Sequence, residues 1–206
     1  MNKIFRMTFL TTALSLLCSA AFAKPASIDS VCASLASRNV TTGNFQQEKI
    51  VSQRNLKSTG TFVLSKTGIA FITEKPIKST QSISQSSVVT ITADGSRTVL
   101  DTSDNTIFQG ITQVVSSLFE GDKSKLEKNF STSISASEKE WTIKLLPKDQ
   151  NIAAMVKDIT LGGTGNSESS ELKSMTLVLN NGITVRYTFS ELKYKSTLSE
   201  SEKAVF

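Results

Sequence analysis

Hydrophobic residues along this chain recur in two rhythms. Ile28, Val31, Cys32 and Leu35 fall at spacings of three, one and three, one face of a short helix that starts at Ser27 or Asp29 and is lost near Arg38-Asn39. A longer face follows at Ile107, Phe108, Ile111, Val114, Val115, Leu118 and Phe119. Asp104 can cap its start and Gly121 terminate it. A third, short helical turn is expected around Ile152 to Val156, after Pro147. Between the second and third helices, Lys123, Lys125 and Lys128 mix with Asp122 and Glu127, which reads as a solvated face.

Elsewhere the apolar positions alternate. Thr59 to Leu64 and Ile69 to Thr73 flank Ser65-Lys66-Thr67-Gly68 as a hairpin. Val88 to Ile91 and Thr98 to Leu100 flank Asp94-Gly95, and Met175 to Leu179 and Ile183 to Phe189 flank Asn181-Gly182; both dipeptides are tight-turn signals. Trp141 to Leu145 alternates up to Pro147. Gly162 to Ser170 reads as a flexible hairpin loop, and the tail after Ser196 as loose. Neither a linker nor a repeat divides the chain.

These patterns predict a mainly β (α+β) fold with one meandering antiparallel sheet. If that curved sheet curls into an incomplete half-barrel covered by two or three helices, its concave side and the helices enclose an apolar slot. Such a slot suits an acyl chain, worth about 0.8 kcal/mol per CH₂ removed from water. A fully packed core with no slot fits the same periodicity, which identifies the apolar face but not what fills it.

The N-terminus alters the charge reading. Lys3 and Arg6 precede an apolar run from Met7 to Leu17, and Ala21-Phe22-Ala23 offers small residues where a signal peptidase cuts. The run is short of the ~20 residues of a membrane span. A lipoprotein signal would need a small residue before Cys18, and Leu17 is not small. Residues 1–23 are thus expected to be a signal peptide removed after Ala23, leaving 24–206 as a single domain. Losing two cations takes the formal net charge of the 206-residue chain from +5 to +3, a matter of solubility more than of nucleic-acid binding. Cys32 remains as the one cysteine after cleavage, so no internal disulfide can form, and it reads as a small buried helix residue.

Candidate chemistry is sparse. The chain has no histidine, which removes histidine-dependent triads and histidine-ligated zinc. Ser170-Glu171-Leu172-Lys173 and Ser190-Glu191-Leu192-Lys193 have Ser/Lys nucleophile spacing, but residues three apart on a strand point to opposite faces. Leu161 to Gly165 lacks the Gly-Lys-Ser/Thr ending of a phosphate loop. Asp101 and Asp104 could pair, although capping explains Asp104 more simply. No enzyme activity, catalytic residue, metal or cofactor is expected.

One run carries a resemblance. Phe45-Gln46-Gln47-Glu48-Lys49 is followed by Gly60 to Lys66, by Gly68-Ile69-Ala70-Phe71 and by Lys75-Pro76. With the signal peptide, Ala93-Asp94-Gly95, the helix to Phe119, Trp141 with Leu145-Leu146-Pro147 and the late hairpin, this resembles the periplasmic outer-membrane lipoprotein carriers of the LolA type. The resemblance implies an open half-barrel capped by helices that carries acyl chains between membranes without catalysis. Phe45, Phe62, Leu64 and Phe71 match the family's apolar strand positions, and Ile111, Val115 and Leu118 would belong to a movable lid. Two positions depart from the pattern. Lys66-Thr67 stands where the family usually has the Arg-Pro that helps close the lid, making Lys66 the lid-closing candidate with a less specific donor geometry. Phe71 stands where tryptophan is common. In both respects the chain looks closer to divergent LolA-like proteins that accompany lipid or polyene biosynthesis and export systems.

The implied function is a monomeric periplasmic carrier for an acylated lipid or lipoprotein. Its partners would be an inner-membrane exporter and an outer-membrane acceptor; it would bind no nucleic acid and would not be an integral membrane protein. Two rivals stay open: an envelope interaction or assembly protein with the same fold and no cavity, and a histidine-free Ser/Lys hydrolase.

Overall fold

The computed structural model describes residues 24–101 and 105–206, the side chains of Thr106 and Phe119 excepted. The expected signal peptide and Asp104 lie outside those residues. The chain opens with α1 (Ile28–Ala36), then forms β1 (Val40–Val51), β2 (Arg54–Ser65), β3 (Gly68–Lys75), β4 (Ser79–Ser84), β5 (Ser87–Thr92) and β6 (Arg97–Asp101). Next come α2 (Thr106–Glu120), α3 (Lys123–Asn129), β7 (Phe130–Ala136), β8 (Glu140–Pro147) and α4 (Gln150–Met155). The chain ends with β9 (Val156–Gly165), β10 (Ser170–Leu179), β11 (Thr184–Lys195) and α5 (Glu200–Lys203).

All eleven strands form one antiparallel sheet in the order β6-β5-β4-β3-β2-β1-β11-β10-β9-β8-β7. The first and last strands meet at its centre, with Phe45 opposite Phe189 and Gln47 opposite Tyr187. From that seam each half meanders outward, to β6 at one edge and β7 at the other, and the sheet does not close. The chain joining those two edges is α2 and α3, so the helices span the interval that strand pairing leaves open.

Alternation along the strands sorts side chains between two faces. Phe62, Leu64, Ile69 and Phe71 enter the large core with α1, α2, α3 and α4, whereas Val63 and Ala70 form a small cluster on the other face. α1 begins with a reciprocal cap between Ser27 and Ser30. The cap of α2 is Asn105, whose Oδ1 accepts from the backbone N–H of Ile107 and Phe108. Gly121 ends α2 in the left-handed region at φ 68°, as its position predicts.

One local expectation is extended and two are corrected. The charged run does form a solvated face, carried on the helix α3, which Asp122 caps and fully buried Leu126 anchors. Gly162 to Gly165 extend strand β9 against β10, so the connecting turn is only residues 166–169. The tail after Ser196 is not loose: Leu198, Val205 and Phe206 pack against Val40, Val63, Ala70 and Ile72 on the outer face.

Candidate functional site

The side chains singled out in the sequence converge. Phe45 from β1, Phe62 and Leu64 from β2 and Phe71 from β3 form part of a floor, and Ile111, Val115 and Leu118 from α2 form its roof. Both halves follow from periodicity: residues two apart on a strand and three or four apart on a helix share a face. Tyr187 and Phe189 of β11 complete the floor. Phe71 stacks on Tyr187 with ring centroids 4.7 Å apart, Phe45 meets Phe71 edge-on at 5.1 Å, and Phe62 lies 4.8 Å from Phe189. Such pairs add about 0.5–1.5 kcal/mol each beyond area burial.

In this conformation the roof is shut. Between Leu35, Phe62, Leu64, Leu118 and Phe189 only about 20 Å³ is open, room for about one water and no hydrocarbon chain. A wider crevice of about 220 Å³ enters from the side, between Thr112, Val115 and Ser116 of α2 and the turns after β2 and β4, over a floor of Ile69 and Ile83. Lys66 stands at its mouth together with Glu120 of α2.

The forces closing the roof are unequal. Gln85 Nε2 donates to Ser116 Oγ at 3.2 Å, and Thr112 Oγ1 donates to the carbonyl of Ser84 at 3.4 Å. Each such bond contributes about 1 kcal/mol net. Burial of Ile111, Val114 and Leu118, none more than 8% exposed, contributes about 2 kcal/mol apiece. Apolar burial therefore dominates, and an apolar ligand can substitute for burial but not for directed polar bonds. The ties from Ser84 and Gln85 escaped the sequence reading, since a serine- and glutamine-bearing turn carries no signal until the helix above it is placed.

Two buried titratable groups of the core, Cys32 and Tyr187, favour their neutral forms. Burial, reinforced by the charge of Asp29, pushes the Cys32 thiol up to about 11. Burial likewise raises the Tyr187 phenol to about 12, although Gln47 donates to it. The two Ser/Lys spacings do not assemble pairs: Ser170 Oγ donates to the carbonyl of Asn166 at 3.0 Å, while Lys173 Nζ contacts Glu171 at 2.8 Å. Exposed Ser190 lies opposite Asn44 in the ladder, with Lys193 opposite Thr42. The arrangement can exclude water and hold apolar groups.

Comparison with known proteins agrees with this architecture. A family model described as "Outer membrane lipoprotein carrier protein LolA-like" matches residues 74–184, from the end of β3 to the start of β11. No curated protein matches the chain. Among solved structures, a DUF1329 family protein from Desulfovibrio piger aligns at a TM-score of 0.50 and 8% identity, covering 87% of this chain and 96% of its own. A LolA superfamily protein from Nitrosomonas europaea aligns at 0.45 and 8% identity, covering 84% and 94%. At 8% identity the likeness to the Desulfovibrio piger protein is one of fold alone. Among the described residues no helix is long and apolar enough to cross a membrane.

Proposed function

Because this chain belongs to the LolA-like family of outer membrane lipoprotein carrier proteins, we propose that it is a periplasmic carrier, released from its signal peptide after Ala23, that holds the acyl chains of a lipid or lipoprotein between α2 and the sheet. Its role is binding without catalysis. The cargo comes from an inner-membrane exporter and passes to an outer-membrane acceptor. The observation supporting this reading is the roof itself. α2 lies in the connection between the two unpaired sheet edges, and its closure rests mainly on apolar burial that a hydrocarbon chain can replace. Entry follows the crevice beside Val115. Uptake would lift α2 off Phe62 and Leu64, exchanging protein–protein for protein–acyl contact at little net change, as handover between membranes requires.

The test is uptake of a fluorescent fatty acid by delipidated protein beginning at Lys24. Saturable binding is expected, and Val115→Trp, which fills the crevice, should reduce it at unchanged thermal stability. A protein that neither takes up the probe nor copurifies with lipid from its own periplasm would defeat the proposal. The near-complete filling of the centre favours a second reading, an envelope binding protein with a permanently packed core, and that same negative result would select it.

A further inference from the structure

The inner face of the sheet changes character in tiers. Beside α2 a cross-strand row reads Leu64, Ile69, Ile83 and Val88. Two residues along, the row reads Phe62, Phe71, Gln81 and Thr90, and two further it reads Gly60, Thr73, Ser79 and Thr92. Across the seam the same shift takes Phe45 opposite Phe189 to Gln47 opposite Tyr187. The sheet therefore passes from wholly apolar under the helix to amide and hydroxyl beyond it.

At this polar end lies a basin of about 380 Å³, within the range of small-molecule sites. Phe45, Phe71 and Tyr187 line its floor, while Gln47, Gln81, Thr73 and Thr90 stand among its walls. The side chains of Gln81, Thr73 and Thr90 are half-buried and make no hydrogen bond with other described residues. Tyr187, held as a neutral phenol, accepts from Gln47 Nε2 at 2.5 Å and keeps its own proton to donate. No carboxylate lines the basin, and Lys49 is its one charged side chain.

That chemistry selects a ligand class. An acyl chain would strand the amides and hydroxyls, each costly to desolvate without a partner. A cation finds no acid, and a multiply charged phosphate finds one exposed lysine. A saturated ring bearing several hydroxyls satisfies both parts, its C–H surface resting on the aromatic floor and its hydroxyls exchanging donors and acceptors with the walls. We infer that this basin binds a polyhydroxylated ring of the sugar class. No residue of α2 lines the basin; it shares Phe45, Phe71 and Tyr187 with the acyl floor, and its polar walls set it apart from the acyl site.

The test is a ¹H–¹⁵N NMR titration of the protein beginning at Lys24 with methyl β-glucoside, with cyclohexanol and sodium phosphate as controls. Saturable shifts should cluster on Gln47, Thr73, Gln81 and Thr90 with the sugar alone. Gln81→Ala should weaken binding about tenfold; the near-isosteric Thr90→Val provides the same readout should the first variant fold poorly. Fatty acid uptake should be unchanged in both, which separates this site from the acyl reading. Octyl β-glucoside below its micelle concentration distinguishes the source: tighter binding with shifts spreading to α2 marks a glycolipid headgroup, and equal affinity marks a free glycan. Absence of saturable shifts up to the sugar's solubility limit, shifts of equal size with cyclohexanol, or undiminished binding in both variants would overturn the inference.

Discussion

Trp141 occupies the place that a side chain on Gly163 would need. The two residues are directly opposed on β8 and β9, and a Cβ on Gly163 would lie 2.2 Å from Trp141 Cζ2 and 2.2 Å from the carbonyl oxygen of Glu171. The indole Nε1 donates to the carbonyl of Thr164 at 3.2 Å, which fixes the ring over the glycine while leaving it 2% exposed. Neither neighbour is the mobile end of a flexible chain, so overpacking cannot be relieved cheaply. Gly163→Ala should destabilise the fold by about 3 kcal/mol. Trp141 is the sole tryptophan, so its fluorescence in a urea titration reports this directly. An unchanged midpoint would mean the strands can separate locally at no cost.

Leu118 separates the two readings of the interior. It is 3% exposed and stands over Phe62, Leu64 and Phe189 where the open space is only about 20 Å³. Leu118→Ala should cost about 2–5 kcal/mol through lost burial and the cavity left behind. If α2 is the roof of an acyl site, the same variant should take up fatty acid at least as well as the original chain, because less protein must be displaced. In a permanently packed core, stability falls and no uptake appears. Denaturation midpoints and fluorescent fatty acid titration, run on one preparation, make the comparison. Arginine would be a poorer probe, since it would bury a charge at this position.

Much of this architecture is legible in the sequence because its elements are amphipathic in the simplest way. The seven face residues of α2, the Asn181-Gly182 and Asp94-Gly95 turns and the alternation through Trp141 each specify local structure with little tertiary help. The open sheet follows from the absence of parallel crossovers. What escaped depended on contacts distant in the chain. Leu126 is the single apolar anchor of α3, too few for a period, so the charges around it dominate the pattern. Val205 and Phe206 look like a frayed end until the outer face of β2 and β3 is seen to carry Val63, Ala70 and Ile72. Asn105 caps α2 through contacts with the backbone of Ile107 and Phe108 that only the placed helix reveals. The amide tier at Gln47 and Gln81 is invisible for a different reason: their strands are not consecutive, and only register brings the two residues to one basin.

Cys32 should make stability fall at alkaline pH. The thiol is fully buried, and its pKa rises from 9.0 to about 11 through burial, with Asp29 adding to the effect. A group that holds its proton more tightly when folded contributes stability that is complete below the unfolded value and lost as pH rises through the folded one. The window is therefore pH 9 to 11. Tyr187, raised from 10.0 to about 12, acts with the same sign slightly higher. Cys32→Ala should be somewhat less stable at neutral pH yet lose less stability between pH 9 and 11, as read from denaturation midpoints across that range. Parallel declines in the two proteins would show that the thiolate is accommodated in the fold. Alkylation of the native thiol at pH 8 should be slow for the same reason.

The C-terminal segment should act as a cover for the outer face. α5 is only four residues long, too short to persist by propensity alone. It is held at its start by the reciprocal cap of Ser199 and Glu202, and to β11 by Lys195 Nζ against Glu202 at 2.5 Å. That position carries Leu198, Val205 and Phe206 onto Val40, Val63 and Ala70. Replacing Val205 and Phe206 together with serine should cost about 1–3 kcal/mol in burial. The larger consequence is association: removing the segment bares an apolar strip on β1, β2 and β3 that the folded chain keeps from water. Sedimentation velocity should show concentration-dependent dimers for a chain ending at Lys195 and none for the full chain. Fatty acid uptake should persist in the shortened protein, because the acyl site proposed above lies on the opposite face of the sheet. If the shortened chain stays monomeric at all concentrations with an unchanged denaturation midpoint, the segment contributes neither stability nor shielding.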